Sequence, residues 1–215
     1  MNVQEEYTQF KFSPIVIAFP LYFVLVLWIV FWIEGNYNLY LTKYGIYPRT
    51  FTGMRGVLFS PFIHSGIKHL FNNSIPLFIL LTSLFYFYRK IAFKVLLYGT
   101  VLSGLLTWII ARDAYHIGAS GIVYLLFSFI LFSGLIRKYY RLVAVSLIVI
   151  FLYGSMIWYI LPIEEGISWE GHLSGFLFGL LFAFIYKNHG PQPLFYDWED
   201  EDYEEDTLDS LKEEE

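Results

Sequence analysis

Six long apolar stretches constrain this chain more than any other feature of its sequence. A helix that crosses the roughly 30 Å hydrocarbon core of a bilayer needs about 20 mostly apolar residues. The stretches of about that length are Pro14–Ile33, Leu70–Tyr88, Ala92–Ala111, Gly118–Ile136, Leu142–Leu161 and His172–Tyr186. With 57% hydrophobic and only 15% charged residues, the composition excludes an ordinary soluble domain. We therefore expect an all-α membrane protein with a membrane domain at residues 14–187.

The first and last stretches differ from the others. The first is too long for the apolar part of a signal sequence, and no small-residue cleavage site follows it, so we expect a retained helix. The last is short for a span. Its helix is expected to begin near Trp169, because membrane interfaces favour Trp and Tyr.

Basic residues concentrate in two of the loops, as in cytoplasmic loops of membrane proteins. They are Arg89, Lys90 and Lys94 between the second and third stretches, and Arg137, Lys138 and Arg141 between the fourth and fifth. The loop before the last stretch carries only acidic charges. This pattern predicts that both termini are cytoplasmic. A six-span core suits a bacterial inner membrane, although an organelle membrane fits as well.

The loop from Glu34 to Lys68 departs from this charge rule, since it would be external yet carries four bases. Aromatic residues are scattered through it, and Pro48 and Gly53 interrupt it. Two interpretations remain open: an amphipathic element lying in the membrane interface, or a simple connection.

The two ends of the chain are predicted to lie outside the bundle. Residues 1–13 form a short cytoplasmic segment. Of the chain's 19 acidic residues, 12 lie in Asp197–Glu215, which leaves the preceding part with a net positive charge. We expect residues 188–215 to form a disordered acidic tail, because such charge runs are usually solvated. The chain has no cysteine, which excludes disulfides and thiolate metal sites.

Ser120 and His172 are the main candidates for chemistry. Ser120 lies in Gly118-Ala119-Ser120-Gly121, and His172 is followed by Leu173-Ser174-Gly175. The proposed topology puts both at the outer end of the bundle. A serine hydroxyl becomes a good nucleophile when an imidazole takes its proton, and a helix N-terminus favours the resulting negative charge. The alternatives are a serine that only packs and a histidine that only bonds between helices.

The second stretch supplies candidates for stabilising that charge. His69 and Asn73 are four residues apart, so both face one side of a helix and can donate to one oxygen. Asn72 is the weaker candidate. An Asn–His pair that merely joins helices is the alternative. Small residues support close helix approach around the site, namely Gly118, Gly121, Gly171, Gly175 and Gly179.

The ordered set of motifs resembles the rhomboid intramembrane serine proteases. The motifs are Gly45 to Arg49, Pro61 to His64, His69 to Asn73, Gly118 to Gly121, and Gly171 to Gly179. The resemblance implies a six-helix rhomboid-like bundle with an amphipathic external first loop and a Ser–His dyad without a third acidic member. By matching positions, Ser120 is the nucleophile and His172 the base. His69, Asn73 and the Ser120 amide would stabilise the oxyanion, and His64 would support the site.

Two positions depart from the family pattern. Family members often have a further glycine where this chain has Tyr124-Leu125, which implies different packing between the fourth and sixth helices. Gly171 replaces a common alanine and keeps a small residue before His172. The outer loops, including Arg112 and Asp113, match nothing that predicts a substrate sequence.

The expected function is cleavage of transmembrane protein substrates in the outer part of the bilayer. Neither a metal nor an organic cofactor is implied, and no nucleic acid is expected as a partner beside the substrate and the lipid bilayer. The first rival is a non-proteolytic relative that binds transmembrane helices. The second is a small transporter. It is disfavoured because transporters place polar groups near the bilayer midplane, whereas the polar candidates here lie near one end of the bundle. The sequence does not indicate the oligomeric state or the substrate.

Overall fold

The computed structural model describes residues 12–152, 158–164 and 166–191, and regular structure within them is helical. The helices are α1 (Ile15–Asn36), α2 (Phe51–Met54), α3 (Gly56–Phe59), α4 (Ile67–Phe87), α5 (Ala92–Ile110), α6 (Ser120–Ile136), α7 (Tyr140–Leu152) and α8 (Trp169–Ile185). Short 3₁₀ turns cover Leu41–Tyr44 and Ser60–Phe62. The prediction of an all-α chain is confirmed for this part of the sequence.

Three helices, α1, α4 and α5, are long and apolar enough to cross a membrane. The helices α6, α7 and α8 are apolar but shorter, at 10–17 residues. In the fifth predicted stretch, Leu142–Leu161, the structure describes an α-helix through Leu152, and residues 153–157 lie outside the described part. Six spans therefore stay a prediction.

Two helix starts bear on the site. As expected from its position at an interface, Trp169 begins α8. The start of α4 was predicted too late: the helix begins at Ile67 rather than Leu70. His69 therefore lies inside the first turn of α4 instead of before it.

The α6 and α8 helices pack closely because glycines line their contact. A Cβ at Gly175 would collide with the Gly121 carbonyl oxygen, and one at Gly179 with the Leu125 carbonyl oxygen. Small residues let two helix backbones approach where no larger side chain fits. This close contact fixes the spacing between the N-terminal ends of α6 and α8, which carry Ser120 and His172.

The segment between α1 and α4 is structured, as a series of short helical turns. A backbone bridge joins it to the loop before α6, where Ile46 and His116 exchange hydrogen bonds of 3.0 and 2.8 Å. Arg49 also donates to the carbonyl of Ala111 at 2.7 Å, beyond the end of α5. The position of the segment between α1 and α4 at the outer membrane interface remains a prediction.

Residues 1–11 and 192–215 lie outside the described part of the chain. The predicted cytoplasmic segment 1–13 and the acidic tail 188–215 fall largely on these residues. Both therefore stay predictions.

Candidate active site

The structure brings Ser120 and His172 together. Ser120 is the first residue of α6, and His172 lies in the first turn of α8. The Nε2 atom of His172 is 2.8 Å from the Ser120 hydroxyl oxygen. Gly118 makes the turn into α6 with a φ of 110°, a left-handed conformation that favours glycine. This turn directs the Ser120 hydroxyl towards α8.

A backbone carbonyl fixes the orientation of the His172 ring. Its Nδ1 atom lies 2.8 Å from the carbonyl oxygen of Tyr159. A carbonyl oxygen only accepts, so Nδ1 carries the proton and Nε2 presents its lone pair to Ser120. The carbonyl thus does the orienting that an acidic third residue does in a Ser-His-Asp triad. Sequence reasoning missed it, since a backbone carbonyl has no residue signature.

The Tyr124 ring stacks on the His172 ring, with centroids 4.3 Å apart and planes 17° from parallel. Tyr124 follows Ser120 by four residues, so both lie on the face of α6 that meets α8. That spacing was the available signal, but the position had been interpreted only as a replaced glycine. The neighbouring Leu125 packs its side chain onto Gly99 of α5. At these two positions Tyr124 contacts His172, and Leu125 fills the contact between α5 and α6.

His69 and Asn73 lie one turn apart on α4 and face the Gly118 turn. A Cβ built on Gly118 would lie 2.7 Å from His69 Nε2 and 3.6 Å from Asn73 Nδ2. Asn73 is 6% exposed, and its Nδ2 has no hydrogen-bond partner among the described residues. A buried donor of this kind is rare in proteins and is available for an incoming acceptor. Asn72 is exposed instead.

His64 lies before α4 and contacts the Gly118 turn through the next residue, Ala119. Its Nε2 atom is 3.4 Å from the amide nitrogen of Ala119, the residue that precedes Ser120. Burial, together with the nearby His69, lowers the pKa of His64 to about 4. His64 is therefore neutral near pH 7 and can accept the Ala119 N–H.

Two cavities meet at Ser120. The larger has a volume of about 730 Å³ and opens beside Ser120 and His172. Its lining also includes His69, Asn73, Tyr124 and Tyr159, with the charged residues Lys68 and Glu164. The smaller holds about 50 Å³ on the other side of Ser120 and is lined in part by Ser103, Thr107 and His116. Within the described residues, no cluster of His, Asp and Glu has the arrangement of a metal site.

A second serine–histidine pair lies close to the first. The Ser168 hydroxyl is 2.7 Å from His116 Nδ1, and His116 Nε2 lies 3.0 Å from the Arg112 carbonyl oxygen. Glu170 is 1% exposed and binds Arg112 at 3.1 Å through both of its carboxylate oxygens. Burial lowers the pKa of His116, although the hydrogen bond to Arg112 and the Glu170 charge oppose the shift. Sequence reasoning did not foresee these partners of His116.

Comparison with known proteins gives one family and several relatives. The family model described as Rhomboid domain matches residues 52–189. The uncharacterized proteins Rv1337 of Mycobacterium tuberculosis and Mb1372 of Mycobacterium bovis are each 34% identical over 175 residues, covering 76% of this chain and 72% of the relative. The uncharacterized protein ML1171 of Mycobacterium leprae is 30% identical over 142 residues, covering 60% of this chain and 55% of the relative.

Proposed function

Because the chain belongs to the rhomboid family, we propose that it is an intramembrane serine endopeptidase that cleaves transmembrane proteins. The observation that carries this proposal is the 2.8 Å approach of His172 Nε2 to the Ser120 hydroxyl. That approach occurs beside a large cavity and next to the uncommitted Asn73 amide. A serine that merely packs would need neither feature.

We also propose that all six apolar segments span the membrane, with both termini in the cytoplasm. Three membrane-capable helices and three shorter apolar ones support this arrangement. The mycobacterial relatives support a bacterial inner membrane as the location. The reaction would then take place near the outer surface of that membrane, where α4, α6 and α8 begin.

The first chemical step is acyl transfer to Ser120. His172 Nε2 takes the hydroxyl proton as the serine oxygen attacks the scissile carbonyl carbon, and the carbonyl π electrons move to its oxygen. The Tyr159 carbonyl, 2.8 Å from Nδ1, stabilises the imidazolium that forms. The stacked Tyr124 ring restrains the orientation of the His172 imidazole. His172 then protonates the leaving amine, and water releases the acyl group by the reverse proton transfers.

The oxyanion forms beside the Gly118 turn. Asn73 Nδ2 and His69 Nε2 face this turn from α4, and the Ser120 amide belongs to the unpaired first turn of α6. Preorganised donors of this kind stabilise charge that develops only in the transition state. Each is typically worth on the order of a hundredfold in rate.

The substrate must unwind before it reacts, because the carbonyl groups of an intact helix are already paired. The cavity of about 730 Å³ has room for an extended segment of a few residues rather than for a whole helix. Substrates should therefore have small or helix-breaking residues near the cut. The partners of the protein are then transmembrane proteins and the surrounding lipid.

The test is cleavage of a model single-span substrate in liposomes by the wild type, Ser120→Ala and His172→Ala, with covalent labelling by a serine-reactive phosphonate. We expect the wild type to cleave and to label. Ser120→Ala should do neither, and His172→Ala should not cleave. Unchanged cleavage in both variants would refute the dyad. A wild type that neither cleaves nor labels, yet binds the substrate helix, would instead favour a non-proteolytic rhomboid-like protein.

A further inference from the structure

A buried ion pair joins the loop before Ser120 to the helix that carries His172. Glu170, in the first turn of α8, receives hydrogen bonds from Arg112 Nη1 at 3.1 Å and from the Arg112 amide at 3.2 Å. Arg112 Nη2 also donates to the Ile167 carbonyl at 2.6 Å. One guanidinium therefore holds both the first turn of α8 and the residues just before it.

The second serine–histidine pair extends this connection. His116 receives the Ser168 hydroxyl at Nδ1 and donates to the Arg112 carbonyl from Nε2. Ser168 precedes α8, and its own carbonyl accepts the His172 amide at 3.2 Å. His116 is also two residues from Gly118, whose turn orients Ser120. Arg112, His116, Ser168 and Glu170 are named the loop clamp below.

The ion pair of the loop clamp and the Ser120–His172 contact involve different neighbours of α8. His172 meets Ser120 and Tyr124 on α6, whereas Glu170 meets the residues between α5 and α6. Residues two positions apart on a helix point in different directions, so Glu170 is kept away from the scissile bond. Its carboxylate also lies at the N-terminal, positive end of the α8 dipole.

We propose that Glu170, held by Arg112, is a positioning residue that keeps His172 within hydrogen-bond distance of Ser120. The inference rests on the proposed function, because it gives Glu170 a role in the rate of the proposed cleavage reaction. Glu170 accepts hydrogen bonds from both the guanidinium and the amide of Arg112, so its removal lets the first turn of α8 shift. Displacement of a catalytic base by about 1 Å can cost on the order of a hundredfold in rate.

The main experiment measures kcat and KM of Glu170→Gln and Glu170→Ala in liposomes, per active site titrated with the phosphonate. Glu170→Gln keeps the size and one acceptor, so we expect kcat to fall about tenfold. The kcat of Glu170→Ala should fall about a hundredfold, and the KM of both variants should stay within about twofold of the wild-type value. Asp113→Asn is the matched control: Asp113 adjoins Arg112 but is largely exposed and pairs with Arg49. It should change kcat less than about twofold.

A purely structural role predicts a different result. It would lower the amount of folded enzyme and its melting temperature but leave kcat per titrated site at the wild-type value. That outcome overturns the inference. Arg112→Gln combined with Glu170→Gln should lose no more activity than the worse single variant, because the two side chains act as one unit. Full additivity would contradict the pairing.

Hydrogen exchange separates failure of this inference from failure of the proposed function. In Glu170→Ala and Glu170→Gln, amides in peptides covering residues 169–175 should exchange faster. Amides near the other end of α8 should not change, since Arg137 holds that end through the Lys187 carbonyl at 2.8 Å. Unchanged exchange at residues 169–175 refutes the loop clamp even if the wild type proves inactive. Faster exchange in the variants, with a wild type that neither cleaves nor labels, upholds the clamp and refutes the protease.

Discussion

Two serine–histidine pairs lie at the end of the bundle where α6 and α8 begin. The Ser120–His172 distance is 2.8 Å and the Ser168–His116 distance is 2.7 Å. In both pairs the second ring nitrogen faces a backbone carbonyl, that of Tyr159 in the first pair and that of Arg112 in the second. Neither the distance nor the orienting group distinguishes them.

The surroundings of the two hydroxyls differ. Ser120 starts a helix and faces the Gly118 turn, where Asn73 offers an uncommitted donor. The His116 ring of the other pair has the Glu170 carboxylate 4.0 Å from its Nδ1 atom. A fixed negative charge opposes the oxyanion that nucleophilic attack would create. A hydrogen-bonded Ser–His pair is therefore not a nucleophile by itself; donors placed for the developing charge make the difference.

Exchanging each serine for alanine gives the largest expected contrast. Ser120→Ala should reduce cleavage at least ~10⁴-fold, because it removes the hydroxyl that His172 Nε2 contacts beside the Gly118 turn. Ser168→Ala removes one hydrogen bond from the loop clamp and should cost less than about tenfold. The measurement is kcat/KM on a single-span substrate in liposomes. A loss as large in Ser168→Ala as in Ser120→Ala would erase the proposed difference between the pairs.

Removing the uncommitted donor tests why the first pair is reactive. Asn73→Ala should lower kcat on the order of a hundredfold with little change in KM, since the amide bonds mainly to the oxyanion. Asn72→Ala, at the exposed neighbouring position, should lower it less than about threefold. Equal losses in the two variants would show that the α4 amides act through general packing rather than by donating to the transition state.

The local features of this chain were predictable from sequence. Apolar length uses only nearby residues and predicted the helical class, and the preference of Trp for membrane interfaces predicted the start of α8 at Trp169. The spacing of the Ser120, His172 and Asn73 motifs was enough to nominate them. Their catalytic roles remain predictions.

The contacts that distinguish the two pairs were not predictable in the same way. The Tyr159 carbonyl that meets His172 belongs to the backbone, which every residue shares. The ion pair between Arg112 and Glu170 joins residues 58 positions apart and depends on how α8 sits against the α5–α6 loop. The start of α4 was set too late because Lys68 and His69 are polar, whereas the tertiary structure continues the helix through them.

Among the residues that the structure describes, no aromatic ring stacks on His116 as Tyr124 stacks on His172, and this difference should have a smaller effect. Tyr124→Leu should lower kcat about threefold to tenfold, because an aromatic pair contributes about 0.5–1.5 kcal/mol beyond its buried area. Tyr124→Phe keeps the ring and should retain activity within about twofold. The measurement is kcat per titrated site. Equal losses in both variants would mean that the hydroxyl, rather than the stacking, is what the site requires.

Substitutions in the second pair should affect the melting temperature more than kcat. The effect on melting temperature should be detectable at acidic pH. Burial keeps the pKa of His116 below its value of about 6.5 in an unfolded chain. Between those two pKa values the unfolded state binds more protons, so stability falls as the pH drops below about 6.5. His116→Asn keeps an acceptor for Ser168 and cannot be protonated in this range.

The expected result is a smaller loss of melting temperature in His116→Asn than in the wild type between pH 7.5 and pH 5, measured in detergent. The difference should be only a few degrees, because it comes from the protonation of one side chain. Other buried histidines titrate in both proteins, so only this difference belongs to His116. Parallel melting curves would show that His116 gains its proton as readily in the folded state as in the unfolded one. The Ser168 hydrogen bond would then not depend on a neutral ring.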